Sequence, residues 1–438
     1  MKVSFYFFIS ILCLLSISFT ACEDEPELSP EQELTLSTNN WIFDVMDEVY
    51  FWTDEMPTDI DKNETPTDYF NALLHREDRF SRIFPDFEVL LSSLNGVFLE
   101  AGYEFTLVKT GETEVVAVIT YVKENSPADD ASLKRGDIIT EVNDQAMTIS
   151  NYSEVASQIF DDHSIKFLRY QPKTEAYEEQ APVALNVVQY SENPNFLDTV
   201  YTIDSKKIGY YIYNFFSDGA SGNEFDSEVD QIFTGFKSEN ITDLILDLRY
   251  NGGGNVQSAI NLASHLAPNV TSNDIFVRNQ WNDFYTNVWQ NHAEGEDQLK
   301  IFFTEESANI GDNISGNIYI LTGKRTASAS ELIINGLDPY MNVTIIGDTT
   351  VGKNVGSIPF EDSKNPDNTY GILPIVIKLA NKDGYSGYDN GFVPLGDNLV
   401  SDIQFPMTPL GDINEPLLAR AVELITGQST GGRKGGSS

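Results

Sequence analysis

The chain has 438 residues, 41% of them hydrophobic, and its 67 acidic residues against 27 basic ones give a formal net charge of −40. A chain of this length and apolar content can bury cores for two or three domains. So large an excess of negative charge disfavours binding to nucleic acid, because the two partners would repel each other.

The first residues have the pattern of an export signal. An apolar run at residues 5–19 follows Lys2 and is too short to cross a bilayer comfortably, which predicts that residues 1–21 are a signal peptide. The run ends in Ala21 and Cys22, an ending that resembles the lipobox of bacterial lipoproteins. The resemblance implies removal of the signal, lipidation of Cys22 and a lipid anchor to the membrane. Ordinary secretion, with no role for Cys22, is the alternative.

The residues next to Cys22 bear on location and redox chemistry. Residues 23–25 are all acidic, a start that resembles the export tag of Bacteroidota surface lipoproteins and implies an outer-membrane location, periplasmic or surface-facing. The other cysteine, Cys13, lies in the predicted signal. The mature chain can therefore form no internal disulfide.

The next segments are predicted to be a tether and a small helical domain. Residues 22–38 are rich in Glu, Pro and Ser, which predicts an acidic tether. A helical N-terminal domain is predicted at residues 39–94, because apolar residues recur there at the i, i+3, i+4 and i+7 positions of one helix face. These residues are Ile42, Val45, Met46 and Val49.

Residues 95–190 change to short β-runs separated by turns. Within them, residues 125–139 contain Ser-Pro-Ala and Gly-Asp-Ile-Ile, and this segment resembles the signature of PDZ domains. A PDZ domain binds an extended peptide as an added strand and holds its terminal carboxylate with amides of a glycine-containing loop. By position, Gly102, Tyr103 and Phe105 are the candidates for peptide binding. Gly102 could instead be a turn glycine.

Residues 195–427 alternate β-runs with helical patterns, which predicts an α/β core. The predicted strands are residues 207–215, 243–248, 318–322, 343–347 and 372–380. Residues 428–438 are rich in Gly and Ser and are predicted to be a disordered tail.

Two places in this core combine a strand, a tight loop and a helix start. The strand at 243–248 leads into a loop that includes Gly253, and the strand at 318–322 leads into Thr-Ala-Ser-Ala-Ser-Glu, which contains Ser328 and Ala329. A helix N-terminus presents free N–H groups and the positive end of the helix dipole, so two such ends together can stabilise an oxyanion. The glycines alone could equally serve close packing or phosphate binding.

Three short motifs carry a more specific resemblance. Asp-Leu-Arg before the glycines, Thr-Ala-Ser-Ala-Ser-Glu around Ser328 and Gly-Lys at Lys353 together resemble the C-terminal processing, or tail-specific, serine peptidases, which also carry a PDZ module. The resemblance implies an α/β, crotonase-like peptidase core. It also implies Ser328 as nucleophile, Lys353 as base, and the amides of Gly253 and Ala329 as oxyanion hole. No cofactor is expected.

A lysine can act as a base only if its pKa, about 10.4 in water, is lowered. Burial of Lys353 in an apolar cleft would disfavour the ammonium and bring its pKa to about 7 to 8. The family has a glutamine four residues after the lysine, where this chain has Ser357. Ser357, Asn354 or Glu331 could take over the orienting role, and these alternatives stay open.

A histidine base is the main alternative to Lys353. His265, on the helix after the glycines, is the strongest candidate among the histidines, although a core or cleft position explains it as well. The others are His75, His163 and His292. The histidines show no metal-ligand spacing, so no metal site is expected.

Residues 347–353 also match a P-loop up to its last position, where Asn354 replaces Ser or Thr. A P-loop must open a helix, but residues 355–360 have the pattern of a strand and contain Pro359. No nucleotide is therefore expected.

Together these patterns predict a serine endopeptidase that cleaves unstructured or C-terminally recognised proteins in the cell envelope. Protein or peptide substrates would bind through the PDZ domain. The alternative is a catalytically inactive peptide- or ligand-binding lipoprotein on the same fold, because Ser357 departs from the family pattern.

Overall fold

The computed structural model describes residues 28–219 and 222–428. The predicted signal peptide, the predicted lipidation site Cys22 and residues 429–438 of the predicted tail lie outside the described residues. In the described part, no helix is both long enough and apolar enough to cross a membrane. The chain forms an N-terminal region, a PDZ-like region and an α/β core, so the predicted α/β class is confirmed. The crotonase-like description stays a prediction.

The N-terminal region is mostly helical, as predicted. Its elements are α1 (Pro30–Val49), a 3-10 helix (Thr53–Glu55), α2 (Pro66–Leu73), β1 (Arg82–Phe84) and α3 (Phe87–Leu94). Helix α1 begins inside the predicted tether because Ser29 and Gln32 form a capping box. The Ser29 side chain accepts the Gln32 N–H at 3.3 Å, and the Gln32 side chain accepts the Ser29 N–H at 2.9 Å. Residues 30–38 of the predicted acidic tether are therefore part of a helix.

The PDZ-like region is built around one antiparallel sheet. Its elements are β2 (Val97–Glu100), β3 (Tyr103–Lys109), β4 (Val115–Val122), α4 (Pro127–Asp130), β5 (Ile138–Val142), β6 (Gln145–Ala146), α5 (Tyr152–Ser157), β7 (His163–Gln171), β8 (Ala176–Glu179), β9 (Val183–Leu185) and β10 (Val188–Ser191). The main sheet has the order β3-β4-β5-β7-β8, so β3 is an edge strand. β2 and β10 pair with each other where the chain enters and leaves the region.

The α/β core follows. Its elements are β11 (Asn195–Ile203), β12 (Lys206–Tyr213), α6 (Glu224–Glu239), β13 (Asp243–Asp247), α7 (Val256–Leu266), β14 (Ile275–Trp281), α8 (Asp283–Asn291), α9 (Glu296–Leu299), β15 (Lys300–Phe302), β16 (Asn317–Thr322), α10 (Ala329–Leu337), β17 (Asn342–Gly347), β18 (Val355–Ser357), β19 (Phe360–Glu361), β20 (Gly371–Leu373), β21 (Ile375–Ala380) and α11 (Pro416–Thr426). The strands predicted at 207–215, 243–248, 318–322 and 343–347 are confirmed as β12, β13, β16 and β17. The run at 372–380 is divided at Pro374, which has no N–H to donate to a ladder.

Strands β12, β13, β16 and β17 run parallel in a sheet with the order β11-β12-β13-β16-β17. β13 is buried on both faces: Leu244 and Leu246 pack in one cluster with Ile333 of α10, and Ile245 packs in another with Leu418 of α11. Covered faces explain why this strand is a continuous apolar run. The carboxyl ends of β13 and β16 lead into two loops at one edge of the sheet.

The N-terminal region shares a core with the α/β core. Ile42 and Met46 of α1 and Phe70 of α2 lie in one buried cluster with Ile372 and Ile375. β1 pairs antiparallel with β20. The N-terminal region therefore completes the α/β core, and the two cannot bury these side chains separately.

Arg249, two residues after the end of β13, is the largest fully buried charged residue in the described part of the chain. Its guanidinium donates to Asp247 at 2.7 Å, to Glu415 at 2.6 Å and to Asp402 at 2.8 Å. Asp402 also accepts from Arg135 of the PDZ-like region at 2.7 Å. Burial would raise the pKa of Asp402, but Arg249 and Arg135 lower it to about 2. This cluster joins the sheet, the start of α11 and the PDZ-like region.

Removal of the Arg249 charge is expected to destabilise the protein strongly, because it leaves buried carboxylates without a partner. Arg249→Met should lower the free energy of unfolding by about 3–5 kcal/mol. The matched control is Arg420→Met, because Arg420 pairs with Glu423 at 2.9 Å at a partly exposed site, and a pair of that kind contributes about 1 kcal/mol or less. Urea unfolding followed by circular dichroism measures both, and equal losses would contradict the assigned role.

Candidate active site

The loop after β13 is shaped by glycines. Gly253 and Gly254 have φ values of +102° and +134°, which residues with a side chain rarely adopt. A Cβ on Gly253 would lie 2.7 Å from the Cβ of Ser328, and a Cβ on Gly254 would lie 2.1 Å from the carbonyl oxygen of Phe216. Glycine at position 253 therefore lets this loop approach the loop that carries Ser328, and glycine at position 254 lets it approach the backbone of Phe216.

Ser328 is the N-cap of α10 and has φ 56° and ψ −115°, an unfavourable conformation for a residue other than glycine. The surrounding backbone is held by the first loop. Thr326 Oγ1 donates to the Leu248 carbonyl at 2.7 Å, and Ser330 Oγ donates to the Asn251 carbonyl at 3.0 Å. The strained residue is thus fixed by hydrogen bonds on both sides, and its own side chain is only half-buried.

Glu331, which is completely buried, connects Ser328 with the loop that carries Lys353. Its Oε2 accepts the backbone N–H of Ser328 at 3.0 Å and that of Lys353 at 2.8 Å. Its Oε1 accepts the N–H of Gly352 at 2.6 Å and the hydroxyl of Thr350 at 2.5 Å. The amides of Ser328 and Lys353 therefore lie within two hydrogen-bond lengths of each other, although 25 positions separate the residues.

The surroundings of Lys353 disfavour its charge. Burial lowers the pKa of Lys353, and the positive charge of Arg82 lowers it further, while Asp78 and Glu331 only partly offset these effects. Its Nζ lies 5.6 Å from the ring centroid of Phe80. Within residues 28–219 and 222–428, Lys353 forms no salt bridge. The Lys353 side chain can therefore lose its proton at a lower pH than a lysine that is exposed to water.

The N-terminal region supplies this environment, and the sequence analysis missed its contribution. Arg79 donates to the carbonyl of Gly352 at 3.0 Å and so holds the Lys353 loop from outside the core. Phe80, Arg82 and Asp78 belong to the same segment. This segment is far from Lys353 in the sequence: Arg79 and Gly352, for example, are 273 positions apart. No local sequence pattern indicates a contact over such a separation.

The three residues considered for the orienting role differ in their contacts. The side-chain amide of Asn354 donates to the Ser386 carbonyl at 2.7 Å and to Asp389 at 2.9 Å, so it holds a neighbouring loop. The Ser357 hydroxyl is buried and has no hydrogen-bond partner among the described residues. Of the three, Glu331 is the one that contacts the backbone of both Ser328 and Lys353.

The two amides proposed for the oxyanion hole are not equivalent. The N–H of Gly253 donates to Asn251 Oδ1 at 2.9 Å, so it is already used, in contrast to the sequence-based expectation. Ala329 is the first residue of α10, and an N–H in that position has no acceptor within the helix. Ala329 therefore offers a free donor next to Ser328, at the positive end of a helix.

The PDZ-like candidates also have distinct roles. Tyr103 is buried, its hydroxyl lies 2.9 Å from His163 Nε2, and burial raises its pKa. Gly102 has φ +85°, and its carbonyl accepts the N–H of Lys123 at 2.9 Å. These two residues therefore build the region rather than an open groove. The Phe105 carbonyl, on edge strand β3, accepts from Arg325 Nη2 at 2.6 Å.

The His265 side chain contacts Asp230 and Phe233. Its Nε2 lies 2.9 Å from Asp230 Oδ1, and its ring stacks on Phe233. Donor atoms of Asp230, His265 and Glu306 lie within 4.8 Å of one another. The spacing of the histidines in the sequence does not indicate this group, because its three residues come from separate parts of the chain. The hydrogen bond between Asp230 and His265 accounts for the pair without a metal ion.

The chain matches sequence models of three protein families. "Peptidase family S41" matches residues 207–376, "Peptidase S41 N-terminal domain" matches residues 37–82, and "PDZ domain" matches residues 118–160. The three matches fall in the α/β core, the N-terminal region and the PDZ-like region, in that order.

Individual relatives are distant. "Carboxy-terminal processing protease CtpB" of Bacillus subtilis (strain 168) is 23% identical over 282 residues, which are 63% of this chain and 50% of that protein. "Probable CtpA-like serine protease" of Staphylococcus aureus (strain N315) is 26% identical over 246 residues, 54% of this chain and 42% of that protein. The chain thus spans about half the length of the curated relatives it matches.

Among solved structures, an S41-type protein from Bacteroides fragilis NCTC 9343 is similar over nearly the whole chain. It is 26% identical in sequence with a TM-score of 0.70, and the match covers 92% of this chain and 99% of that chain. The arrangement of an N-terminal region, a PDZ domain and an α/β core is therefore shared with a known structure.

Loss of one Glu331 acceptor is expected to loosen both loops. In Glu331→Gln, an NH₂ group replaces one oxygen and faces N–H or O–H donors, so the free energy of unfolding should fall by about 1–3 kcal/mol. Hydrogen exchange of the Ser328 and Lys353 amides should become faster, as measured by NMR or mass spectrometry. Glu361→Gln, at an exposed position, is the control and should change neither quantity. Unaltered exchange in Glu331→Gln would contradict the connecting role.

Proposed function

We propose that this chain, which matches the model "Peptidase family S41" over residues 207–376, is a serine endopeptidase of the C-terminal processing type with Ser328 as nucleophile and Lys353 as base. The observation that carries this proposal is the buried Glu331 carboxylate that accepts the amides of both residues. A lysine with a lowered pKa is the base that this chemistry requires. A strained backbone, as at Ser328, is common at active sites.

The proposed reaction uses the residues as follows. Neutral Lys353 accepts the proton of the Ser328 hydroxyl while the oxygen attacks the scissile carbonyl carbon. The carbonyl oxygen becomes an oxyanion, which the Ala329 N–H and the positive end of α10 stabilise. The lysine ammonium then gives its proton to the leaving amine, and the peptide bond breaks. Water hydrolyses the acyl-enzyme by the same proton transfers in reverse order and restores Ser328.

The substrates proposed are polypeptides with unstructured or accessible carboxyl ends. Two features support this class: the match to a PDZ domain at residues 118–160, and the position of β3 at the edge of its sheet, where an added strand can pair. Arg325 contacts the Phe105 carbonyl on β3 and lies three residues before Ser328. A polypeptide held near this edge would therefore lie close to the proposed nucleophile.

We propose that the protein is located in the cell envelope and is anchored by a lipid on Cys22. Two features of the sequence support this location: the apolar run at residues 5–19, and the Ala21-Cys22 ending that follows it. Metabolic labelling with a fatty acid analogue tests this point, because Cys22→Ala should abolish labelling.

A catalytically inactive binding protein on the same fold is the second candidate. The specific observation in its favour is Ser357, which stands where the family has its orienting glutamine and whose buried hydroxyl has no partner in the described part of the chain. This candidate predicts peptide binding without turnover in the wild-type protein.

Substitution of either proposed catalytic residue is expected to abolish turnover while the fold is retained. Ser328→Ala and Lys353→Met should each lower kcat/KM for casein or a tail-tagged peptide by at least about 10³-fold. Ser363→Ala and Lys364→Met, both at exposed positions, are the matched controls and should keep wild-type activity. Wild-type activity in either catalytic variant would refute the dyad, and no turnover in any protein, including wild type, would favour the binding protein.

The lowered pKa of Lys353 also predicts a pH dependence. Activity should rise with pH as the lysine loses its proton and level off below pH 10.5, the ordinary value. Because the folded state binds this proton less well than the unfolded state, the group destabilises the fold at low pH and ceases to do so above the unfolded pKa. Lys353→Met should therefore be more stable than wild type at pH 7, and this difference should vanish near pH 10.5. A stability difference that does not vary with pH would contradict the assignment.

A further inference from the structure

A cavity of about 580 Å³ lies where the end of α1 and the 3-10 helix meet β14 and α8. This volume is typical of ligand sites. Four aromatic residues line it: Phe51, Trp52, Trp281 and Phe284. Five acidic residues line it as well: Asp47, Glu48, Asp54, Glu55 and Asp283. We refer to it as the aromatic–acidic cavity.

The lining of the cavity is more acidic than the chain as a whole. Five of its twelve residues are acidic, against 67 of 438 in the whole chain, and none is Lys or Arg. The Phe284 side chain is 63% exposed, so its ring is accessible to a ligand that enters the cavity. Aromatic faces beside uncompensated carboxylates are the chemistry that attracts an organic cation.

The walls of the cavity are fixed by hydrogen bonds. The buried side chain of Asn282 donates to the carbonyls of Glu48 at 3.0 Å and Tyr50 at 3.3 Å and to Thr53 Oγ1 at 3.2 Å. The Tyr285 hydroxyl donates to the Glu48 carboxylate at 2.6 Å. A ligand would therefore enter a preformed site and would not need to order it.

Most of the carboxylates have no cationic partner. Glu55 lies 3.1 Å from His75 Nε2, but Asp47, Asp54 and Asp283 form no salt bridge within the described residues. They are also too dispersed to share a metal ion, because the described residues contain a metal-compatible group of three donors only around Asp230. The arrangement thus fits an extended organic cation better than a metal ion.

We propose that the aromatic–acidic cavity binds a Lys or Arg side chain of a polypeptide substrate, a proposal that rests on the proposed peptidase function. The cavity is connected to the candidate active site. Trp52 stacks on His75, whose N–H donates to the Tyr50 hydroxyl at 2.9 Å, and this hydroxyl donates to Asp78 at 2.7 Å. Asp78 in turn acts on the charge of Lys353. These contacts therefore link the wall of the cavity to the residues around the proposed base.

Peptide binding to the full chain carrying Ser328→Ala tests the proposal, because no cleavage can then occur and binding does not depend on the dyad. A fluorescent peptide rich in Lys should bind, and its Kd measured by anisotropy should rise at least about tenfold in Asp47→Asn/Asp54→Asn. The matched control is Asp59→Asn/Glu64→Gln, which removes two exposed charges of the same region and should change Kd less than about twofold. An equal effect of the two double variants would overturn the proposal.

The aromatic contribution and the kind of cation need separate measurements. Phe284→Ala, at an exposed site, should weaken binding of the Lys-rich peptide about threefold or more. The same peptide with acetylated lysines should bind at least about tenfold more weakly, and equal binding of the two peptides would overturn the proposal. Free spermidine should compete with the peptide only weakly. Competition by spermidine at the affinity of the peptide itself would instead identify the cavity as a polyamine site and overturn the assignment to a polypeptide.

Discussion

One buried carboxylate holds the candidate active site together. Glu331 accepts hydrogen bonds from Ser328, Gly352, Lys353 and Thr350, and so joins the start of a helix to a loop that follows the neighbouring strand. A buried carboxylate without such donors would cost several kcal/mol. The fold therefore favours the arrangement in which both loops turn their donors towards this residue.

Arg249 and Lys353 show opposite uses of charge in this chain. Arg249 is surrounded by Asp247, Glu415 and Asp402, so its charge is fully matched and serves to connect separate parts of the fold. Lys353 has no ion pair in the described part of the chain, and burial and Arg82 lower its pKa. A matched charge stabilises structure, whereas a poorly solvated amine retains a free electron pair for proton transfer.

The sequence predicted the features that depend on local patterns. Apolar runs located β12, β13, β16 and β17, and the motif around residues 125–139 located the PDZ-like region. Features that depend on distant contacts were not predictable. Arg79 reaches the loop before Lys353 across 273 positions, and Asn251 engages the Gly253 amide through a side-chain rotamer that no sequence pattern indicates. The start of α1 was not predicted, because the content of Glu, Pro and Ser favoured a tether and the capping residues around Pro30 were not considered.

The shared core of the N-terminal region and the α/β core has a consequence for biosynthesis. The segment that contains Phe80 and Arg82 is made early, but Lys353 emerges much later, and β1 can pair with β20 only after residue 373 is available. Until that pairing forms, water reaches the lysine and keeps it protonated. Under the proposed mechanism, the nascent polypeptide would therefore be inactive during synthesis, and hydrolysis would become possible only after β1 has paired with β20.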